Sequence, residues 1–395
     1  MAAAKQKTGC DPIQNTTIKV RLSPTAEQVA LFDKTFDCCR YIWNRILADH
    51  EEFYAATGVH FLPTPAKYKK EAPFLKEVDS LALATAHQNL RGAFQRFFDD
   101  PGQFGYPVFK KKKDRKNSYT TYRSTQANTL YTTRDGIRLP KVGIVRAVFH
   151  RRPLHWWTLK SATISKTPTG NYFCSLTFEY PVKEPKPVLP SPETTIGLNY
   201  SMSHFYVDSE GQMADPPKWL RQSQDKLAQL QRRLARMERG SKNYEHQLGK
   251  IRALHEHIAN QRKDFLHKES RRIANAWDAV CVRDMDLTAM SQKLKLGNVM
   301  DPGFGMFRIY LNYKLNRQGK AYIVVNKIVP TTKTCHHCGY IKDDLTLRDR
   351  TWVCPACGEV IQREVNAARN IRDAGLLNAY SVGWGLAPTA EYTKT

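Results

Sequence analysis

Residues Thr334–Ile371 read TCHHCGYIKDDLTLRDRTWVCPACGEVIQREVNAARNI. Two C-x2-C pairs stand in this stretch, Cys335/Cys338 and Cys354/Cys357, each followed at once by a glycine, Gly339 or Gly358. The pattern is that of two tight turns presenting four thiolates to one tetrahedral zinc ion. Four sulfurs complete the coordination sphere, so the expected zinc is structural, with His336 and His337 as spectators. Asp349–Val353 is expected to supply a strand of this ribbon. The alternative, four unrelated buried cysteines, does not account for the repeated spacing. Of the other cysteines, Cys38, Cys39, Cys174 and Cys281 read as small core residues, and Cys10 lies near the chain end. Nine cysteines, an odd number with four in tight pairs, point to a reducing compartment and a metal, not to disulfides.

Working outward, the chain has 395 residues and a net charge of +24. Such a charge favours a polyanion, because binding releases condensed counterions, and nucleic acid is the commonest polyanion. Ribosomal or membrane-surface roles also suit the charge alone. With 41% hydrophobic residues there is enough apolar material for packed cores, and the length suggests two or three domains. No apolar run is long enough to span a membrane, and Met1–Cys10 lacks the apolar segment of a secretory signal. A cytoplasmic protein without a membrane partner is expected.

Thr17–Leu22 alternates as a strand, and Ser23 then Pro24 read as the N-cap and first turn of a helix carrying Val29, Phe32, Phe36, Cys39, Ile42, Trp43 and Ile46. A second helix is expected over Leu75–Phe98. From Phe104 to Tyr180 short alternating runs dominate. Thr167–Asn171 is a turn joining Ser161–Lys166 to Tyr172–Tyr180 as a hairpin, and the region reads as a small β-barrel. Lys110, Lys111, Lys112, Lys113, Arg115, Lys116, Arg146, Arg151 and Arg152 stud it, among Tyr106, Phe109, Tyr119, Tyr122, Trp156 and Trp157. Interleaved cations and rings suit a sugar-phosphate backbone with unstacked bases, and these basic residues are candidate RNA contacts. Five prolines in Pro181–Pro192 mark an extended linker. Beyond it Thr195–Val207 is a strand-turn-strand, and Pro217–Trp277 reads as two antiparallel helices broken at Gly240-Ser241. One face of that pair is basic, with Arg232, Arg233, Arg236, Arg239, Lys250, Arg252, Arg262 and Lys263; Arg232 and Arg233 are the leading phosphate-contact candidates. Ala279–Val282 and Ala321–Val325 are expected as buried strands with a helix, Phe304–Gln318, between them.

The Thr334–Ile371 block resembles the C-terminal block of TnpB, the transposon-associated ancestor of type V CRISPR effectors. The resemblance extends to Val20–Thr25 with Gln28, to Phe36–Tyr41 with Asn44, to Gly105–Lys110 and its lysines, to Phe307–Lys314, and to Lys333-Thr334. It implies an α+β multidomain architecture. An oligonucleotide-binding-like wedge barrel (1–24 and 105–181) would carry a helical recognition insert (25–104). After a linker (182–193) would come a RuvC domain of RNase-H-like fold (194–330, with the helical pair 217–277, and 362–395), interrupted by the zinc ribbon (331–361). It also implies a guide RNA, a double-stranded DNA target beside a short adjacent motif, and action as a monomer in the bacterial cytoplasm, on the nucleoid. Gln88 and Asn89 on the second helix, and Ser118, Tyr119, Thr120 and Thr121 beside the lysines, are the candidate DNA contacts.

RuvC cleavage uses three carboxylates to hold two Mg²⁺ ions. At the positions where the resemblance puts them this chain has Asn199 (in Ile196-Gly197-Leu198-Asn199), Arg283 (in Val280-Cys281-Val282-Arg283-Asp284) and Glu364 (before Val365-Asn366-Ala367-Ala368). Catalytic Mg²⁺ is therefore not expected. Asp284 should face away from Arg283, since neighbours on a strand point to opposite faces, and Asp208 and Asp286 have no positional support. Arg283 is a candidate to pair with Glu364. The expectation is a nuclease-dead, RNA-guided DNA binder resembling TnpB-like repressors. The alternatives are a nuclease with a rewired metal site, an unguided transposition accessory protein, and an RNA-binding module acting on its own transcript.

Overall fold

The computed structural model describes residues 13–112, 117–124, 128–183, 185–201, 204–215, 218–284, 301–346 and 348–381. The chain forms two compact units, 1–183 and 184–395.

The first unit is built on β1 (Ile13–Ser23), whose residues Thr16, Ile18, Val20 and Leu22 are buried in strict alternation. Such a strand has one core face, and its register follows. β1 pairs along its length with β7 (Tyr172–Pro181), and its last residues also pair with β5 (Gly143–Val148). With β2 (Asn117–Tyr122), β3 (Tyr131–Thr132), β4 (Gly136–Leu139) and β6 (Thr158–Lys166) the result is a curled antiparallel sheet of seven strands, ordered β2-β6-β7-β1-β5-β4-β3. The β6–β7 hairpin turns at Gly170, whose φ of 88° is left-handed.

Two helices, α1 (Ala26–Thr57) and α2 (Ser80–Asp99), are inserted between β1 and β2. The N-cap of α1 is Thr25, not Ser23. Thr25 Oγ1 accepts from the Gln28 amide at 3.3 Å while Gln28 Oε1 accepts from the Thr25 amide at 3.1 Å, a capping box that leaves Ser23 in the strand. Likewise α2 starts at Ser80 rather than Leu75, because the Asp79 carboxylate caps the Leu81 amide at 3.0 Å and Pro73–Lys76 closes into a separate 3₁₀ turn. Phe32 of α1 stacks on Tyr172 at 5.6 Å and Phe36 meets Tyr119 at 5.7 Å, so insert and sheet share a single hydrophobic core.

In the second unit, β8 (Thr195–Tyr200), β9 (Tyr206–Asp208), β10 (Met213–Ala214), β11 (Ala279–Arg283) and β12 (Ala321–Val325) form a sheet in the order β10-β9-β8-β11-β12. β8, β11 and β12 are parallel; β9 and β10 run against their neighbours. This is the RNase-H-like arrangement. Between β10 and β11 lie α3 (Lys218–Ala235) and α4 (Lys242–Ala276), turned at Gly240 and tied by the Gln247 amide to the Leu230 carbonyl at 3.1 Å. α5 (Asp301–Asn316) connects β11 to β12. After the ribbon strands β13 (Thr351–Val353) and β14 (Val360–Gln362), α6 (Arg363–Ser381) returns to the sheet. Part of the proline-rich stretch is pinned to this unit, since the Val188 amide donates to the Gly319 carbonyl at 2.9 Å.

The sheet has two different faces. Ile196, Leu198, Val280 and Val282 pack with Leu266 and Ile273 of α4 and with Phe307, Leu311 and Leu315 of α5. Their odd-numbered neighbours face α6: Cys281 packs with Ile371, and a Cβ on Gly197 would lie 2.0 Å from the Ala368 carbonyl oxygen. Strand periodicity thus fixes which face each later residue serves.

Lys314 of α5 is only 4% exposed, with Nζ donating to the His267 carbonyl and to Ser270 Oγ, both at 2.6 Å. Burial, with Arg271 adding repulsion, lowers its pKa from 10.5 to about 8. A depressed lysine pKa means that the unfolded chain binds more protons between pH 8 and 10.5, so stability rises with pH across that window. Lys314→Met should abolish this rise, worth roughly 3 kcal/mol at most. Denaturant titrations of wild type and variant at both ends of the window, compared as a difference, measure it; parallel curves would refute the assignment.

Candidate nucleic-acid site and zinc ribbon

The carboxyl ends of parallel strands are where α/β sheets bind ligands. At the last paired step Leu198 of β8 lies beside Val282 of β11, so the next residues, Asn199 and Arg283, are neighbours on the α6 face. Glu364 sits in the first turn of α6. Its backbone carbonyl accepts from Asn199 Nδ2 at 3.4 Å. Asn199 and Glu364 therefore meet, with Arg283 on the adjacent strand, and the glycine contact at Gly197 is what lets α6 come this close.

Their partners differ from expectation. Glu364 Oε1 is ion-paired at 2.7 Å with Arg350, which reaches in from the ribbon, whereas Arg283 donates to the Lys327 carbonyl at 2.6 Å. Among the described residues no ion pair joins Arg283 to Glu364, so the expected pairing is replaced by one with Arg350. Burial lowers the Arg283 pKa. Asp284 points to the other face, where Arg308 of α5 lies 3.8 Å away. Asp208 pairs across from Leu198 and so shares the α4 and α5 face. It is occupied capping its own turn through the Glu210 and Gln212 amides. Burial is the main cause of its raised pKa, outweighing those bonds. Asp286 lies outside the described residues. Among the described residues, Asn199, Arg283, Arg350 and Glu364 bring one carboxylate, one amide and two guanidiniums to this end of the sheet. Hard divalent cations take anionic or neutral oxygens, and two guanidiniums repel them, so this set does not fit a pair of Mg²⁺ ions.

The four cysteine sulfurs lie within 4.8 Å of one another. Cys335 and Cys357 Sγ are 3.8 Å apart, and Cys338 and Cys354 Sγ 3.5 Å. Zinc–thiolate bonds of about 2.3 Å in a tetrahedron put sulfurs about 3.8 Å apart, so the four residues fit a structural zinc ion. The two knuckles are built alike: the Gly339 amide donates to the Cys335 carbonyl and the Gly358 amide to the Cys354 carbonyl, each at 2.9 Å, and both glycines have positive φ. His336 stands outside the four-sulfur cluster and contacts α6 instead. Its amide donates to Asn366 Oδ1 at 2.8 Å, and its Nδ1 lies 3.1 Å from Asp373 Oδ2, off the line of a good hydrogen bond but within reach of the charge. Asn366 and Asn370 donate in turn to the Thr334 carbonyl, both at 2.7 Å. The asparagines of N-A-A-R-N thus dock the first knuckle onto α6.

Three family profiles match: "Helix-turn-helix domain" of OrfB IS605 over residues 14–58, "Probable transposase" of OrfB IS605 over 178–294, and "Cas12f1-like, TNB domain" over 304–371. A protein of Streptomyces pristinaespiralis named as an RNA-guided DNA endonuclease is 32% identical over 389 residues, 95% of this chain and 93% of that one. The chain belongs to the TnpB family. InsQ of Escherichia coli strain K12, likewise named as an RNA-guided DNA endonuclease, is 28% identical over 90% of this chain and 91% of its own. The cryo-EM structure of the Cas12f1–sgRNA–target DNA complex matches with a TM-score of 0.56 at 12% identity, over 92% of this chain and 99% of that one, which is a likeness of fold. In this TnpB-family chain the segment matched as helix-turn-helix is one strand followed by one continuous helix, β1 and α1. Among the described residues no helix is long and apolar enough to cross a membrane.

The candidate DNA and RNA contacts differ in exposure. Gln88 and Asn89 are exposed on α2, opposite the buried Leu83, Ala86 and Leu90. Ser118 is exposed, and Thr120 Oγ1 meets Thr163 Oγ1 at 2.8 Å. Tyr119 and Thr121 are 5% and 0% exposed and face the core between sheet and α1, so they are corrected from base contacts to packing residues. Trp43 and Asn44 hold Val108–Lys110 against α1, through Trp43 Nε1 to the Val108 carbonyl at 3.0 Å and a two-way Asn44–Lys110 backbone pair. Lys110 Nζ lies 3.5 Å from the centre of the Trp43 ring, and Lys112 pairs with Asp37 at 3.0 Å. Lys111 is exposed; Lys113, Arg115 and Lys116 lie outside the described residues. Arg151 packs over Trp157 at 4.9 Å and Arg152 is exposed. Arg232 and Arg233 are exposed near the end of α3, whereas Arg252 and Arg262 are partly buried. Sequence reasoning missed Arg350, Asn366 and Asn370. The asparagines lie within the family block, but the reach of Arg350 to Glu364 depends on the folded ribbon.

Proposed function

We propose that this protein is an RNA-guided DNA-binding protein that opens and occupies a guide-matched target without cutting it, and so represses transcription. Its relatives are named as RNA-guided DNA endonucleases, which supports the guided reading. The observation that carries the inactive reading is the donor set at the end of β8 and β11: Asn199, Arg283, and a Glu364 already ion-paired with Arg350. Two-metal hydrolysis needs several anionic ligands at one spot, and among these three positions the anion is a single one held by a cation. Gln88, Asn89 and Ser118, exposed around the first unit, are proposed to read the motif beside the target. Lys110–Lys112, Arg151, Arg152, Arg232 and Arg233 are proposed to hold guide RNA. One copy per guide, acting on the bacterial nucleoid, is the proposed working state.

The test uses the protein purified with the RNA it carries. A duplex matching that RNA should be bound in a guide-dependent way and remain uncut in Mg²⁺. Cleavage at a rate comparable with that of an active relative under the same conditions would overturn the proposal, as would binding indifferent to the guide sequence.

A further inference from the structure

We propose that the carboxyl end of β8 and β11, with Asn199, Arg283, Arg350 and Glu364, is a metal-free phosphate site that grips one strand of the opened DNA through the Arg283 guanidinium. The inference rests on the guided-binding reading above.

Three observations carry it. First, Arg283 is partly buried at the end of β11, and among the described residues no carboxylate lies within ion-pair distance of it. A cation withdrawn from water without a counter-ion is costly unless an anion arrives. Burial is the cause of its lowered pKa. Second, Arg283 is aimed. One N–H is fixed on the Lys327 carbonyl at 2.6 Å, which orients the planar fork and leaves its other donors for a ligand. A fork held in this way matches the paired oxygens of a phosphodiester. Third, the charges balance as a phosphate site needs. Three carboxylates with two Mg²⁺ ions carry a net charge of about +1. Arg283 and Arg350 against Glu364 reach the same net charge with no ion, and Arg350 is 59% exposed while it pairs with Glu364. An arginine at the second acid position thus does more than remove a ligand. It supplies the positive charge that metals supply in a cutting site, at the carboxyl end of the same strands.

The chemistry selects a phosphodiester rather than a base. Among the described residues, the side chains named at this site are a carboxylate, a short amide and two guanidiniums, with no aromatic platform among them, so contact is expected to be independent of base sequence. The effect is retention: an anchored strand does not re-pair with its complement, which prolongs occupancy of the target.

The test uses the protein–guide complex on a matched duplex, without added divalent cation and in Mg²⁺, across a salt series. Strand opening is followed by permanganate reactivity of unpaired thymines. Wild type should hold its target equally well with and without Mg²⁺. Arg283→Gln should lower the slope of log affinity against log salt by about 0.7, the value for one single-strand phosphate contact, and speed dissociation roughly 5- to 10-fold. Arg283→Lys, which keeps the charge, should keep most of the slope. If wild type opens the target but Arg283→Gln has the wild-type slope and dissociation rate, the phosphate site is refuted and guided binding stands. If wild type does not open a matched target, the guided reading fails and takes this inference with it.

Discussion

Cys335→Ser, or prolonged treatment with a zinc chelator, should unfold the ribbon while the first unit stays folded. The ribbon's own core is Cys335, Trp352, Cys354 and Ile361 with Leu345 against it, and its sheet is two strands of three residues. A core of that size cannot offset the entropy of ordering the segment. The metal supplies the difference, since structural zinc in small domains contributes apparent free energies of about 10–16 kcal/mol. The expected result is one zinc per chain in wild type and none in Cys335→Ser, with new protease cleavage between β12 and α6 and no change in the first unit. The consequences reach the nucleic-acid site, because Arg350 stands beside β13 and holds Glu364. Releasing the ribbon frees that carboxylate and should weaken target binding as well. A zinc-free Cys335→Ser chain with a protease-resistant ribbon would show that the metal is dispensable.

How far the sequence can be read depends on the range over which each feature is decided. The zinc knuckles are local, and cysteine spacing followed by glycine was enough to place them. The facing of Asp284 was also legible, because a strand alternates and Arg283 precedes it. The same rule exposes the error over Ser118–Thr121. Four consecutive strand residues cannot all face solvent, and Tyr119 and Thr121 fell to the core because Phe32 and Phe36 of a helix far away in sequence cover that side. Helix starts shifted by a few residues where a particular side chain, Thr25 or Asp79, captured an amide. The least legible features are pairings set by tertiary fold. Arg283 and Glu364 were natural partners by charge, but Arg350, arriving from the ribbon, occupies Glu364 instead. Nothing local to the sequence marks Lys314 for burial, which comes from the packing of α4 against α5.

The position of α6 explains both site and ribbon, and a single methyl group should disturb it. Gly197 of β8 sits under α6, where an added Cβ would lie 2.0 Å from the Ala368 carbonyl oxygen and 2.8 Å from the Arg372 nitrogen. Both are backbone atoms, so no side chain can rotate away, and the helix as a whole must lift. It is wedged at a second point too, since a Cβ on Gly375 would meet Cys281 Sγ at 2.3 Å. Overpacking of this kind against backbone belongs with the most damaging single substitutions, and Gly197→Ala should cost on the order of 4 kcal/mol. Lifting α6 would carry Glu364 away from Asn199 and strain the Asn366 and Asn370 bonds to the first knuckle. Gly249→Ala is the matched control. Gly249 is exposed inside α4, beyond its first turn, with nothing within 4 Å of an added Cβ, so alanine there should stabilise by about 1 kcal/mol through helix propensity. Denaturant unfolding of the two variants should therefore move in opposite directions from wild type. If Gly197→Ala unfolds with the wild-type midpoint and keeps guided binding, α6 does not rest on β8 as closely as this geometry requires.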